Sequence, residues 1–188
     1  MHRVRFAAAA IAAIALAAPV AAQKITQIHP GKGGSPHVRA QWTVDGANIT
    51  IEYGRPSVKG RMIFGPEGMH KPGAVWRMGA DEATSLKTDK DLMFGSVHVP
   101  AGTYTLYALP LAGPTPEQPA GKLIISKQTG QWGTVYNENQ DLGRVDANVS
   151  ILATPVETLT INIVDTPAGA TWVMTFANIR AEVPFVIH

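Results

Sequence analysis

From Val38 onward the apolar residues of this chain recur at every second position, and that alternation constrains the fold more than any other feature. The stretch "ANITIEY" puts Ile49, Ile51 and Tyr53 on one face and Thr50 and Glu52 on the other. "TYTLYAL" repeats the pattern with Tyr104, Leu106 and Ala108, and "ETLTINIV" does so with Leu159, Ile161 and Ile163. A two-residue period belongs to strands of an antiparallel sheet with one buried face. Turn signals punctuate the strands at Asp45-Gly46, Asp89-Lys90, Pro100-Ala101-Gly102 and Thr129-Gly130, and the Pro-rich "LPLAGPTPEQPAGK" makes one long loop. Downstream of the N-terminal segment no stretch carries a helical period. The expected fold is therefore all-β: a single antiparallel β-sandwich of jelly-roll or Greek-key type, with about ten strands.

The first 22 residues stand apart from this pattern. "MHRVRF" is a basic start, "AAAAIAAIALAA" is an apolar run too short to span a bilayer, and Val20 and Ala22 are the small residues a signal peptidase reads. The expectation is a signal peptide cleaved after Ala22, and a periplasmic or secreted product that starts at Gln23. Residues 23–36, with little periodicity and several breakers, then form a flexible leader or a leader strand, and 37–188 one domain. Arg3 and Arg5 are the only charged residues of the leading segment, so 14 basic and 14 acidic residues remain once it is removed. A chain balanced in this way has no general attraction for nucleic acid or an anionic membrane. It contains no cysteine, which excludes disulfides, thiolate chemistry and a lipid-modified N-terminal Cys. No membrane anchor is expected.

Residues 54–82 interrupt the alternation. Pro56, Gly60, Gly65, Pro66, Gly68, Pro72, Gly73 and Gly79 break any strand ladder, so this segment is expected to be a long ordered excursion. Long ordered loops in compact domains are commonly functional. This one carries Arg55, Lys59, Arg61, His70, Lys71, Trp76 and Arg77, followed at once by Asp81, Glu82 and Thr84. Arginine pairs bidentately with carboxylates and phosphates and stacks on aromatic planes. Arg55, Arg61, Trp76, Arg77, Asp81 and Glu82 are thus candidate ligand-binding residues for a polar or anionic small molecule or a glycan. Like charges held close together recruit counter-charge, so Glu82 is expected to pair with at least one of Arg55, Arg61 and Arg77. Trp76 should pack on the same cluster, with a concave pocket beside it. Two other readings compete: an envelope interaction or scaffold module in which an Arg–carboxylate network merely orders the loop, and a hydrolase or lyase using His70 and Glu82 as an acid–base pair.

The segments "SPH", "YGRPSVKGRMIFG", "VWRMGADEATSL", "VPAGTYTLYALP", "GQWGTVYN", "DLGRV" and "VETLTINI", in this order and spacing, resemble the bacterial domain-of-unknown-function family 2911 from about Ser35 to Ile187. Where that family has Asn before the Glu of its second motif, this chain has Asp81. The resemblance implies an exported, single-domain, mostly β protein, and it implies no activity.

Other chemistry is sparse. His29, His37, His70, His98 and His188 show neither His-x-His nor His-Glu-x-x-His spacing, so no metal is expected. "GKGGS" lacks the spacing of a phosphate loop, no Gly-x-Ser-x-Gly elbow occurs, and no cofactor motif is present. In "GQWGTVYNENQDLGR", Trp132 and Tyr136 either offer stacking faces for a sugar ring, or Trp132 closes the core while Asp141 pairs with Arg144 across a turn.

Overall fold

The structure, a computed structural model, describes residues 23–113, 115 and 117–188. The expected signal peptide lies outside the described residues. Ten strands run in chain order: β1 (Lys24–His29), β2 (His37–Val44), β3 (Ala47–Gly54), β4 (Ser85–Thr88), β5 (Leu92–Phe94), β6 (Val97–Val99), β7 (Gly102–Leu111), β8 (Ala120–Ser126), β9 (Asp141–Thr166) and β10 (Gly169–Ile187). They pair antiparallel throughout, in the order β1-β2-β3-β4-β7-β8-β9-β10-β5-β6. The only helical turn among the described residues is a 3-10 turn at Glu138–Gln140. Among the same residues no helix is long and apolar enough to cross a membrane.

The alternation does what strand chemistry demands of it. Ile49, Ile51 and Tyr53 of β3 are fully buried, as are Leu106 of β7 and Leu159 and Ile161 of β9, and all belong to one core with Trp42, Leu86, Phe94, Trp172 and Phe185. Strands from both ends of the sheet order share that core, so the single sheet folds over on itself into two layers. β9 makes the fold possible: Asp141 to Ala147 pair with β8, whereas Asn148 to Thr166 pair with β10. Register shifts between Thr175 and Ile179 let the long β10 bend with it, and Ala177 takes a left-handed φ of 51° there. Polar bonds tie the layers together. Trp42 Nε1 donates to Asn162 Oδ1 at 2.9 Å, and the buried Tyr53 oxygen accepts the Ile161 N–H at 3.0 Å.

Asp45-Gly46 forms the β2–β3 hairpin as its residues dictate, with φ values of 48° and 72° and Val44 opposite Ala47. Both central residues of a type I′ turn need positive φ, which this pair tolerates. Within the leader, Lys24–His29 is a strand, hydrogen-bonded along the edge of β2. It buries almost nothing, with Ile25 and Ile28 both exposed, so backbone pairing rather than a hydrophobic face holds it.

The excursion runs between Gly54 and Ser85 without a strand of its own. Backbone bonds fix its course instead. Leu159 N–H donates to the Pro56 carbonyl and Val58 N–H to that of Glu157; farther on, Trp76 and Ala108 exchange bonds of 2.7 and 2.8 Å. Gly54 allows the return, since a Cβ there would stand 2.2 Å from the Ala80 carbonyl oxygen.

Candidate functional site

The excursion delivers its side chains to two places. The first is a knuckle at residues 77–84. Met78 and Asp81 both hold left-handed φ values, 47° and 64°, which non-glycine residues adopt only when their surroundings enforce it. Thr84 Oγ1, fully buried, donates toward the carbonyls of Arg77 and Met78. Arg77 donates to the carbonyls of Gly79 and Asp81 at 3.1 and 3.3 Å. Asp81 accepts the Lys32 N–H at 2.8 Å. Gly133 N–H donates to the Asp81 carbonyl and Ala83 N–H to that of Gln131, which locks the outer edge of the knuckle.

This arrangement corrects the expected Arg–Glu82 pairing. Arg55 donates to the Leu159 carbonyl and to Thr160 Oγ1, both at 3.1 Å, and Arg61 donates to the carbonyls of Val58 and Ser57. None of Arg55, Arg61 and Arg77 forms an ion pair with a described carboxylate, so the expected Arg–carboxylate network is replaced by an Arg–carbonyl one. A segment without a ladder leaves carbonyls unpaired, and arginine, with five donors, satisfies several at once.

Glu82 faces two imidazoles instead. Its Oε2 lies 3.4 Å from His37 Nδ1 and 3.5 Å from His29 Nε2. His29 and His37 are register partners across β1 and β2, and their rings stack 4.8 Å apart at 11°. His37 is buried and stands opposite Gly54, next to the point where the knuckle folds back. Burial lowers the His37 pKa, an effect that the nearby Glu82 carboxylate opposes. Among the described residues, these three are the group whose imidazole and carboxylate atoms come close enough together to hold a metal, all within 4.8 Å. Sequence spacing hid them, because they come from three separate elements. The signal that could have found the histidine pair is the Gly-rich "HPGKGGSPH", which reads as a turn that sets its two end residues opposite each other.

The second place is apolar. Trp76 is buried, stacks on His70 at 4.6 Å and 27°, and meets Phe64 edge-on at 5.3 Å and Phe176 at 6.1 Å. Burial holds the His70 pKa down to about 4, with the charges of Arg77 and Arg61 pushing the same way. His70 is therefore a neutral ring in an aromatic stack, and it makes no hydrogen bond or ion pair with Glu82. Beside Trp76 opens a cavity of about 420 Å³ walled mainly by Phe64, Leu109, Trp172, Met174 and Ile179. Trp172 lines it with its ring, while its indole N–H is closed off from water and has no acceptor. The concave pocket beside Trp76 is thus present, but its wall is mostly hydrocarbon, with Thr115, Lys122 and Asn178 as its polar side chains, and Arg55, Arg61, Arg77, Asp81 and Glu82 are not part of it.

The second polar segment resolves in part as expected. Arg144 Nε meets Asp141 Oδ2 at 2.8 Å, and Tyr136 donates to the same oxygen at 2.7 Å. Trp132 does not close the core; it is 36% exposed, with the Lys32 ammonium 4.9 Å from its ring centre.

Residues 35–185 match the family described as a protein of unknown function, DUF2911. The chain belongs to the DUF2911 family. No curated protein and no solved structure matches it. The matched span of this DUF2911 chain takes in the whole excursion, the cavity wall, His37 and Glu82, whereas His29 lies upstream of it.

Proposed function

We propose that this DUF2911 chain binds a small amphipathic molecule, with a hydrocarbon body and a hydrogen-bond acceptor, in the cavity beside Trp76 and Trp172. The observation that carries this reading is the cavity itself. Its 420 Å³ fall within the range of ligand sites, and its walls are the aromatic and aliphatic side chains such sites use. Thr115, Lys122 and Asn178 also line it, and they would donate to the acceptor of such a ligand. This reading differs in chemistry from a polar or anionic ligand held by arginines, because Arg55, Arg61 and Arg77 lie outside the cavity and each donates to a backbone carbonyl. It also differs from hydrolysis by His70 and Glu82, which do not meet.

The test is titration with an amphipathic fluorophore such as anilinonaphthalene sulfonate, read by energy transfer from tryptophan. Saturable binding at one site is expected. Ala147→Phe, which puts a ring into the cavity from β9, should weaken binding about tenfold or more, as expected when a pocket is filled. Circular dichroism would confirm that the variant still folds. Failure to saturate, or undiminished binding in the folded variant, would overturn the reading.

A further inference from the structure

The stacked pair of histidines and the carboxylate that faces them lie apart from the cavity, and their chemistry is different. We propose that His29 Nε2, His37 Nδ1 and Glu82 Oε2 are three ligands of a divalent transition-metal ion, zinc-like in its preference for imidazole and carboxylate donors.

Three observations lead there. First, His37 Nδ1 and Glu82 Oε2 are both buried, and neither has a hydrogen-bond partner. Charge-assisted hydrogen bonds run at about 2.7–2.9 Å; the separations of 3.4 and 3.5 Å to Glu82 are too long for that. Second, those separations match a metal's coordination sphere. A tetrahedral ion with bonds of about 2.1 Å keeps its ligands about 3.4 Å apart. The widest separation in the triad, at most 4.8 Å, closes by rotation of His29, the more exposed of the two rings. Third, the backbone holds the donors in place before any ion arrives. The β1–β2 register sets the two rings opposite each other, and the Asp81–Gly133 and Ala83–Gln131 bonds fix the strand entry that carries Glu82. No described lysine or arginine competes for Glu82.

Two imidazoles and one carboxylate leave a fourth position for solvent or a substrate atom. Binding has a visible cost at His29. Its Nδ1 now accepts the Gly31 N–H at 3.1 Å, so the neutral ring carries its proton on Nε2. Coordination through Nε2 moves that proton to Nδ1 and releases the Gly31 N–H to water.

The experiment uses the purified protein, stripped with a chelator that is then removed. Zn²⁺ is added in competition with a chromogenic indicator, and Co²⁺ is followed by its visible absorption. One equivalent of each ion should bind, and nitrogen-15 spectra should show His29 changing tautomer as Zn²⁺ is added. His29→Ala, His37→Ala and Glu82→Gln should each weaken binding by at least about tenfold. His98→Ala should leave it unchanged, since that ring, on β6, pairs with Asp91 just before β5. Glu82→Gln keeps the shape of a partly exposed side chain, so it tests the site even if His37→Ala fails to fold. Absence of stoichiometric binding, or full affinity in folded Glu82→Gln, would overturn the assignment.

Discussion

At His70 the folded chain refuses a proton that the unfolded chain accepts. Its pKa is held down to about 4, whereas an unfolded histidine titrates near about 6.5. Between those values the unfolded state binds more protons, so stability falls as pH drops from about 6.5 toward about 4. For a ring that keeps some exposure the loss is ~1–2 kcal/mol. His70→Phe preserves the stack on Trp76 and removes the proton site. Urea unfolding at pH 7 and pH 5 should show a smaller loss in the variant by that amount, and equal losses would refute the assignment. The arginines separate in the same way. Arg77→Ala strands two carbonyls in the knuckle and should cost ~1–2 kcal/mol, whereas Arg61→Ala, on an exposed turn, should cost ~0.5 kcal/mol or less. Sequence displays such residues as charges; their partners here are carbonyls and rings, which no charge pattern reveals. That is why Arg55, Arg61 and Arg77 were legible as a cluster but not as backbone clamps, and why His70 read as an acid–base candidate.

Strands were legible where they bury one face, because burial writes a two-residue period into β2, β3 and the second half of β9; β7 alternates in sequence but buries Tyr104 to Tyr107 in succession, covered on both faces. β1 buries almost nothing and left no such mark. The excursion was legible as an interruption, through its prolines and glycines, but its route depends on contacts between distant segments. Gly54 is the place where sequence and route meet. It ends β3, stands opposite His37, and lets the Ala80 carbonyl pass where a side chain would be. Gly54→Ala sets a Cβ against backbone, which cannot rotate away, so the knuckle must lift. The expected cost is about 2–4 kcal/mol in thermal or urea unfolding. Gly60→Ala, whose Cβ would meet nothing within 4 Å, bears only the strain of its φ of 69° and should cost about 1 kcal/mol. Equal losses at the two glycines would mean that the close approach at Gly54 is not what shapes the excursion.

Across the whole molecule, one cluster of buried side chains takes in residues from β2 through β10 and from the excursion, where Ile63, Trp76 and Met78 join it. β9 belongs to both layers, so neither layer can lose its strands while the other keeps a covered face. Single domains built this way unfold in one cooperative step. The tryptophans make this testable from three directions at once: Trp42 reports on β2, Trp76 on the excursion and Trp172 on β10, all buried, while Trp132 lies at the surface. Urea unfolding followed by tryptophan emission should therefore coincide in midpoint and slope with the loss of β-sheet circular dichroism. A variant with Trp42 and Trp172 replaced by Phe, which leaves Trp76 as the buried reporter, should still show a single coincident transition, at a lower midpoint. An excursion that merely lay on a finished sandwich would instead release Trp76 first, at lower urea, while the circular dichroism stayed unchanged. Coincidence is expected because Trp76 exchanges backbone bonds with Ala108 of β7 and stacks against Phe176 of β10. To free it, the chain must open both layers.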